Sequence, residues 1–168
     1  LESPLGILNA FDICKACPER MLGVAISGGD YRKSMQASYN PGGIEMLGGR
    51  ANMLIAARAA GVQCFDTVFT DVDDEEGFRQ EVIQNKQMGF DGKSLISPKQ
   101  IAIVHEIFTP SEKEIRTAER IVRAVREQAA QGIGVFTLDG KMLDIAFVPG
   151  AERTIELAKA SGVYGGDL

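Results

Sequence analysis

Two acidic side chains stand where a metal-dependent reaction could be run. Glu2 ends a short strand-like start, and Asp30 follows Ser27-Gly28-Gly29, which closes the apolar run Met21–Ile26. Neighbouring parallel strands bring such residues together at their C-terminal ends, where α/β folds build their sites. Mg²⁺ typically takes one or two protein carboxylates and completes its shell with water and substrate oxygens, so a pair suffices. Acids at strand ends are also common as merely solvated groups, and spacing leaves both readings open. The same holds for Gly28-Gly29. Adjacent glycines let backbone amides turn toward an anion, or they make a tight turn and nothing more.

Other chemistry-bearing residues are weaker candidates. Cys14-Lys15-Ala16-Cys17 has C-x-x-C spacing, but a structural zinc site needs four ligands, and only Cys64 and His105 remain to supply them. A redox pair belongs at a helix N-terminus, whereas this one falls at a helix end, so two ordinary reduced cysteines are expected. His105, the one histidine, sits within a helix, and no G-x-S-x-G accompanies it. No glycine pair has the spacing of a phosphate loop or a dinucleotide fingerprint. Asp66, Asp71, Asp73 and Asp74 suggest a second cation site. However, Asp71-Val72-Asp73-Asp74 lacks the glycine and terminal glutamate of an EF-hand loop, and helix capping is the simpler account. Asp144 follows a hairpin strand and reads, on spacing alone, as a turn or capping acid.

The composition narrows the classes. Of 168 residues, 45% are hydrophobic and 24% charged, the balance of one globular domain rather than a disordered chain. Eighteen Lys and Arg against 23 Asp and Glu leave a net charge of -5, which argues against nucleic acid as the main partner. No apolar run is long enough to span a membrane. Three cysteines without a secretory segment point to a reducing, cytoplasmic setting.

The elements that must position these residues alternate. Helices are expected at Ala10–Ala16 (capped by Asn9), Ile44–Ala60, from the acidic cluster at 71–76 to Gly89, and at Ile101–Phe108 behind a Ser97-Pro98-Lys99-Gln100 capping box. Strands are expected at Met21–Ile26, Val62–Thr70 and Gly92–Ile96. The buried stripe of the second helix reads as Ile44, Leu47, Ala51, Leu54 and Ile55. Such alternation makes a parallel sheet. Beyond a soft boundary near residue 105 the pattern changes. A helix from Pro110 to about Gln131 is capped by Thr109-Pro110-Ser111-Glu112 and carries a stripe at Ile115, Ala118, Val122, Val125 and Ala129. A hairpin turns at Asp139-Gly140, and a last helix runs from about Gly150 to Ala160.

Taken in order, several stretches resemble the HpcH/HpaI aldolase/citrate lyase family, in its citrate lyase beta-subunit branch. They are Glu2-Ser3-Pro4-Leu5-Gly6, Gly28-Gly29-Asp30-Tyr31, Ala56-Ala57-Arg58-Ala59-Ala60-Gly61, Phe65-Asp66-Thr67-Val68, Gly89-Phe90-Asp91-Gly92-Lys93-Ser94-Leu95-Ile96, Pro98-Lys99-Gln100 and Leu138-Asp139-Gly140-Lys141-Met142-Leu143-Asp144. The resemblance implies an α/β fold: a partial (β/α)8 TIM barrel over residues 1–104, equivalent to strands five to eight. A helix-hairpin-helix lid over 105–168 follows, which also serves oligomerisation. A whole barrel needs about 250 residues, so a fragment of a longer protein is expected.

The implied chemistry is retro-aldol cleavage of a citryl thioester, on coenzyme A or an acyl carrier protein, to oxaloacetate and an acetyl thioester. By resemblance Glu2 and Asp30 hold Mg²⁺ (or Mn²⁺), the Gly28-Gly29 amides hold a substrate carboxylate, and Asp144 is the acid/base, delivered on the lid of a neighbouring subunit. Implied partners are copies of the chain in a homo-oligomer and other citrate lyase subunits. The alternatives are a malyl-CoA or citramalyl-CoA lyase, or a truncated, non-catalytic assembly piece. The chain departs from the family pattern at Gly29, where glutamate is usual, at Ser97, where histidine is common, and at Ala146, where proline is expected. The family's substrate-binding arginine lies on strands preceding this stretch, so turnover by this chain alone is not expected.

Overall fold

The computed structural model describes residues 1–168, in two compact units, Leu1–Ile107 and Phe108–Leu168. In the first unit β1 (Gly23–Ala25), β2 (Gln63–Asp66) and β3 (Gly92–Lys93) form a parallel sheet in that order, with Val24 opposite Cys64 and Asp66 opposite Lys93. Leu1 extends this pairing on the free side of β1. Its amino group donates to Ala25 O at 2.5 Å, and its carbonyl accepts the Ser27 N–H at 2.8 Å. That alternating exchange is parallel pairing by a single residue. Glu2 therefore starts where β1 ends.

Helices connect the strands: α1 (Pro4–Leu8), α2 (Ala10–Lys15), α3 (Gly28–Met35), α4 (Ile44–Ala60), α5 (Glu75–Met88) and α6 (Lys99–Phe108). The α/β class is as expected, but several boundaries differ. Ser3 caps α1 by accepting the Gly6 N–H at 3.1 Å, with Pro4 at the first helical position, so the chain turns helical at once after Glu2. Asn9 makes no side-chain cap. The Gly28-Gly29-Asp30 stretch is the first turn of α3 rather than a loop. The second strand ends at Asp66 instead of Thr70, and the third at Lys93 instead of Ile96. Gly61 and Gly89 end α4 and α5 in the left-handed conformation, as their positions predict.

The expected stripe on α4 is the largest error. Ile44, Leu47 and Ile55 are exposed, and the buried face is Met46, Gly49, Arg50, Met53, Ala56 and Ala57. Close approach decides this. A Cβ at Gly49 would lie 2.7 Å from the Tyr31 ring, so only glycine lets α3 and α4 meet there. Small and flexible side chains then pack beneath, and Met46, Met53 and Ala57 join Ile7, Cys14, Val24, Ile26, Tyr31, Cys64 and Phe90 in one core.

The second unit is built of two helices and a hairpin. Helix α7 (Glu112–Ala130) is followed by the antiparallel hairpin β4 (Val135–Leu138) and β5 (Lys141–Asp144), a 3-10 turn at Ile145–Phe147 and α8 (Val148–Ala160). The turn is of type I′, with φ of 52° at Asp139 and 77° at Gly140. The capping box of α7 lies two residues later than expected. Ser111 accepts the Glu114 N–H, and the Glu114 carboxylate accepts the Ser111 N–H at 2.7 Å. Ile115, Ala118, Val122 and Val125 are buried as expected, but Ala129 is exposed. Ala118 and Val122 pack on Ala151 and Ile155 of α8. No helix is long and apolar enough to cross a membrane.

Candidate active site

The C-terminal ends of the parallel strands open into a cleft of about 320 Å³, lined by Leu1, Ala25, Ile26, Ser27, Thr67, Val68 and Ser94. A larger groove of about 560 Å³ in the second unit, between α7 and α8, is mostly apolar and carries one acid, Glu114. Leu1 and Ser27 of the smaller cleft adjoin the two candidate acids, Glu2 as the next residue and Asp30 through a hydrogen bond. Glu2 and Asp30 are both exposed, on adjacent segments. Ser34, one turn beyond Asp30 on α3, donates to Glu2 O at 3.4 Å, which ties that turn to the Glu2 backbone.

Asp30 sits at the third helical position of α3, where a carboxylate often caps the helix by accepting the N–H of the N-cap residue. Here the N-cap is Ser27, and its N–H is already given to Leu1 O. The carboxylate is therefore not spent on the cap. One of its oxygens, Oδ2, accepts the Ser27 hydroxyl at 2.7 Å. A carboxylate with one oxygen held and the other open to solvent suits a hard cation. The donors that these two exposed side chains offer are a set of carboxylate oxygens. That set fits Mg²⁺, which keeps several waters and needs few protein ligands. No group of three or more His, Cys, Asp or Glu gathers as a closed metal site.

Gly28 and Gly29 separate on inspection. The Gly28 N–H donates to Thr67 Oγ1 at 2.8 Å and is buried. Gly29 is exposed, and a Cβ there would meet nothing within 4 Å. The Gly28 amide is thus committed within the protein, and Gly29 is the glycine that faces solvent.

Beneath this mouth lies a buried charge cluster that the sequence reading missed. Arg50 Nε and Nη2 grip Asp66 Oδ1 and Oδ2, each at 2.8 Å, and Nη2 reaches Glu81 Oε2 at 2.9 Å. Lys93 Nζ contacts Asp66 Oδ2 at 2.9 Å, Glu81 Oε1 at 2.5 Å and Thr67 O at 2.7 Å. Asn85 Nδ2 donates to Asp66 Oδ2 at 2.6 Å. Burial alone would raise the Asp66 carboxyl, but Lys93 and Arg50 outweigh it and hold it below the usual carboxylate range. Burial likewise works against the Arg50 charge, and Asp66 and Glu81 outweigh it and strengthen it. A signal for the cluster was available: Arg50 lies four residues after Met46 and three before Met53, on the buried stripe.

This corrects the suggestion of a cation site at Asp66, 71, 73 and 74. Asp66 is already neutralised by two cationic side chains. Asp74 caps α5 by accepting the Gly77 N–H at 2.9 Å, and Asp71 accepts the Asp73 N–H at 3.3 Å. The expected capping role of Gln100 is also redirected. Its amide donates to Phe69 O at 3.0 Å and its Oε1 accepts the Ile96 N–H at 3.2 Å, pinning the segments that follow β2 and β3.

The remaining candidates are quiet. All three cysteines are free. Burial raises Cys14 and pushes Cys64 up to about 12, and a hydrogen bond to Glu19 raises Cys17, so none is an activated thiolate. His105 is exposed on α6. Asp144, in the second unit, ends β5 half-buried, and its Oδ1 accepts the Ala146 N–H at 2.9 Å. That leaves Oδ2 for another partner.

The family model described as HpcH/HpaI aldolase/citrate lyase matches residues 1–98. The citrate lyase subunit beta of Haemophilus influenzae is 45% identical over 95% of the chain and 55% of its own length. That of Escherichia coli K12 is 44% identical over 97% and 54%. A (3S)-malyl-CoA thioesterase of Cereibacter sphaeroides is 36% identical over 98% and 57%. The chain thus spans about half the length of the curated relatives it matches. Among solved structures, a Mycobacterium tuberculosis CitE protein in complex with magnesium, acetoacetate and coenzyme A superposes with a TM-score of 0.78 at 27% identity, covering 95% of this chain and 59% of that one.

Proposed function

The chain belongs to the HpcH/HpaI aldolase/citrate lyase family, and from that premise we propose that it carries the metal-binding half of a carbon–carbon lyase acting on a citryl thioester. The carrier is coenzyme A or an acyl carrier protein, and the products are oxaloacetate and an acetyl thioester. In this reading Leu1 and the three parallel strands correspond to strands five to eight of a (β/α)8 barrel. Residues 105–168 are the lid, and the working unit is a homo-oligomer alongside other citrate lyase subunits. The observation that carries the reading is the pairing of Leu1 with β1, because it sets Glu2 beside the turn that bears Asp30.

Glu2 and Asp30 would hold the ion, Mg²⁺ or in its place Mn²⁺. When bound, such an ion supplies Lewis-acid stabilisation of the ketone oxygen that develops as the carbon–carbon bond breaks. The chain's own groups do the rest. Ser27 fixes Asp30 Oδ2 and leaves Oδ1 to coordinate. The Gly29 amide, at the positive end of α3, donates to a substrate carboxylate. This refines the expected role of the glycine pair, since the Gly28 amide is committed to Thr67. The carbinol proton leaves as the bond breaks, and the acetyl enolate takes a proton at carbon. Asp144 is the acid/base for that exchange.

The 36% identity to (3S)-malyl-CoA thioesterases keeps a smaller hydroxyacyl-CoA substrate as the second reading. Titrating the chain with Mg²⁺ and oxaloacetate while following thermal unfolding tests the site. A hundredfold excess over Kd stabilises a native-state binder by about 2.7 kcal/mol. Asp30→Asn is expected to abolish that shift while the protein stays folded. An undiminished shift in the variant removes Asp30 from the metal site, and no shift in the parent favours a non-catalytic assembly role.

A further inference from the structure

The start of α3 is held from outside its own segment. The first four N–H groups of a helix lack intrahelical acceptors, and the N-cap side chain usually serves one of them. Ser27 makes no such cap, because its hydroxyl is turned to Asp30. The missing acceptor comes from the residue just past β2: Thr67 Oγ1 takes the Gly28 N–H at 2.8 Å, 39 residues away in sequence. The approach is as close as it can be. A Cβ at Gly28 would lie 2.9 Å from both Thr67 Oγ1 and Cγ2. Any side chain there would drive α3 away from the end of β2.

Thr67 is itself fixed on its other side. It is 3% exposed, and its carbonyl accepts Lys93 Nζ at 2.7 Å. Lys93 is locked in turn by Asp66 and Glu81. A rigid line thus runs from the buried charges through Lys93 and Thr67 to Gly28, one residue short of the Gly29 amide and two short of Asp30. Thr67 is also one of the residues lining the cleft.

We propose that Thr67, braced by Lys93, is a positioning residue that sets the Gly29 amide and the Asp30 carboxylate for their ligands. It does so through its hydroxyl bond to Gly28. The inference rests on the proposed metal-and-carboxylate reading of the cleft. Thr67 itself touches no ligand in this role. Removing a partner that orients a metal ligand typically costs 10–100-fold in affinity.

The test compares Thr67→Val, which keeps the shape and removes the acceptor, with Thr67→Ser, which restores a hydroxyl. Mg²⁺ affinity is measured by calorimetry with saturating oxaloacetate, and amide hydrogen exchange is followed at Gly28, Gly29 and Asp30. The valine variant is expected to bind Mg²⁺ about tenfold more weakly and to exchange faster at all three amides. The serine variant is expected to stay within about twofold of the parent on the same scale. A valine variant with lowered thermal stability but parental Mg²⁺ affinity would mean that Thr67 is only structural, and the proposal fails. Should the valine variant not fold, Gly28→Ala presses on the same contact from the other side, with the same expected loss and the same refutation if affinity holds. If the parent binds no Mg²⁺ with oxaloacetate, the cleft reading fails. The positioning claim is then decided by exchange alone, and unchanged rates at Gly29 and Asp30 in the valine variant overturn it.

Discussion

Asp30 follows the first strand of the parallel sheet and Asp66 is the last residue of the second, yet they are in opposite states. Asp66 is fully buried and gripped by Arg50, Lys93 and Asn85, so both of its oxygens are engaged inside the protein. Asp30 is exposed and held at one oxygen by Ser27. One carboxylate is part of the frame, and the other stands exposed, where the proposed metal site would use it. The difference shows that position at a strand end does not by itself leave an acid open to a ligand. What matters is whether cationic side chains reach it first. The two are also connected, since the cluster around Asp66 braces Thr67, and Thr67 fixes the turn that carries Asp30.

The contrast can be broken most directly at the buried acid. Asp66→Asn strands Arg50 and Lys93 without their shared counter-charge, and losing one member of a buried ion cluster costs about 3–5 kcal/mol. Urea unfolding should show that loss, whereas Asp30→Asn should leave the unfolding midpoint unmoved. Equal behaviour of the two variants would erase the distinction. A smaller effect appears with pH. Because the folded Asp66 carboxyl lies below its ordinary value, its contribution is complete above the unfolded pKa of about 3.9. As the pH falls further, the unfolded chain binds a proton that the folded protein refuses, and the contribution is lost down to the folded value. Unfolding midpoints measured from pH 7 downward should drop more steeply below about pH 4 in the parent than in Asp66→Asn. The smallest effect belongs to the exposed acid. Ser27→Ala removes one hydrogen bond to Asp30, and its Mg²⁺ affinity should fall only a few-fold, the factor that about 1 kcal/mol represents. A loss as large as that of Asp30→Asn would mean that Ser27 itself ligates the ion.

Local patterns in the sequence were readable where a local rule governed. Asp139-Gly140 between alternating runs specifies a two-residue hairpin, because both positions need positive φ. Gly61 and Gly89 mark helix ends for the same reason. Glu2 and Asp30 could be nominated from their places after apolar strands. The α4 stripe could not be read, since hydrophobicity pointed to Ile44, Leu47 and Ile55, while close packing at Gly49 rotated the helix to bury Arg50. Ser27 looked like one end of a glycine turn, and its bond to Asp30 depends on Leu1 having claimed the Ser27 N–H.

By itself, then, the chain's residue order determined the alternating α/β plan, the hairpin, most helix stops and the family, because each rests on neighbours in sequence or on an ordered set of short motifs. Only the tertiary structure decided which aspartate is neutralised, which glycine amide is free and how Thr67 joins the two regions. Those outcomes turn on partners 16 to 39 residues apart in the chain, and it is folding that sets the distances between them.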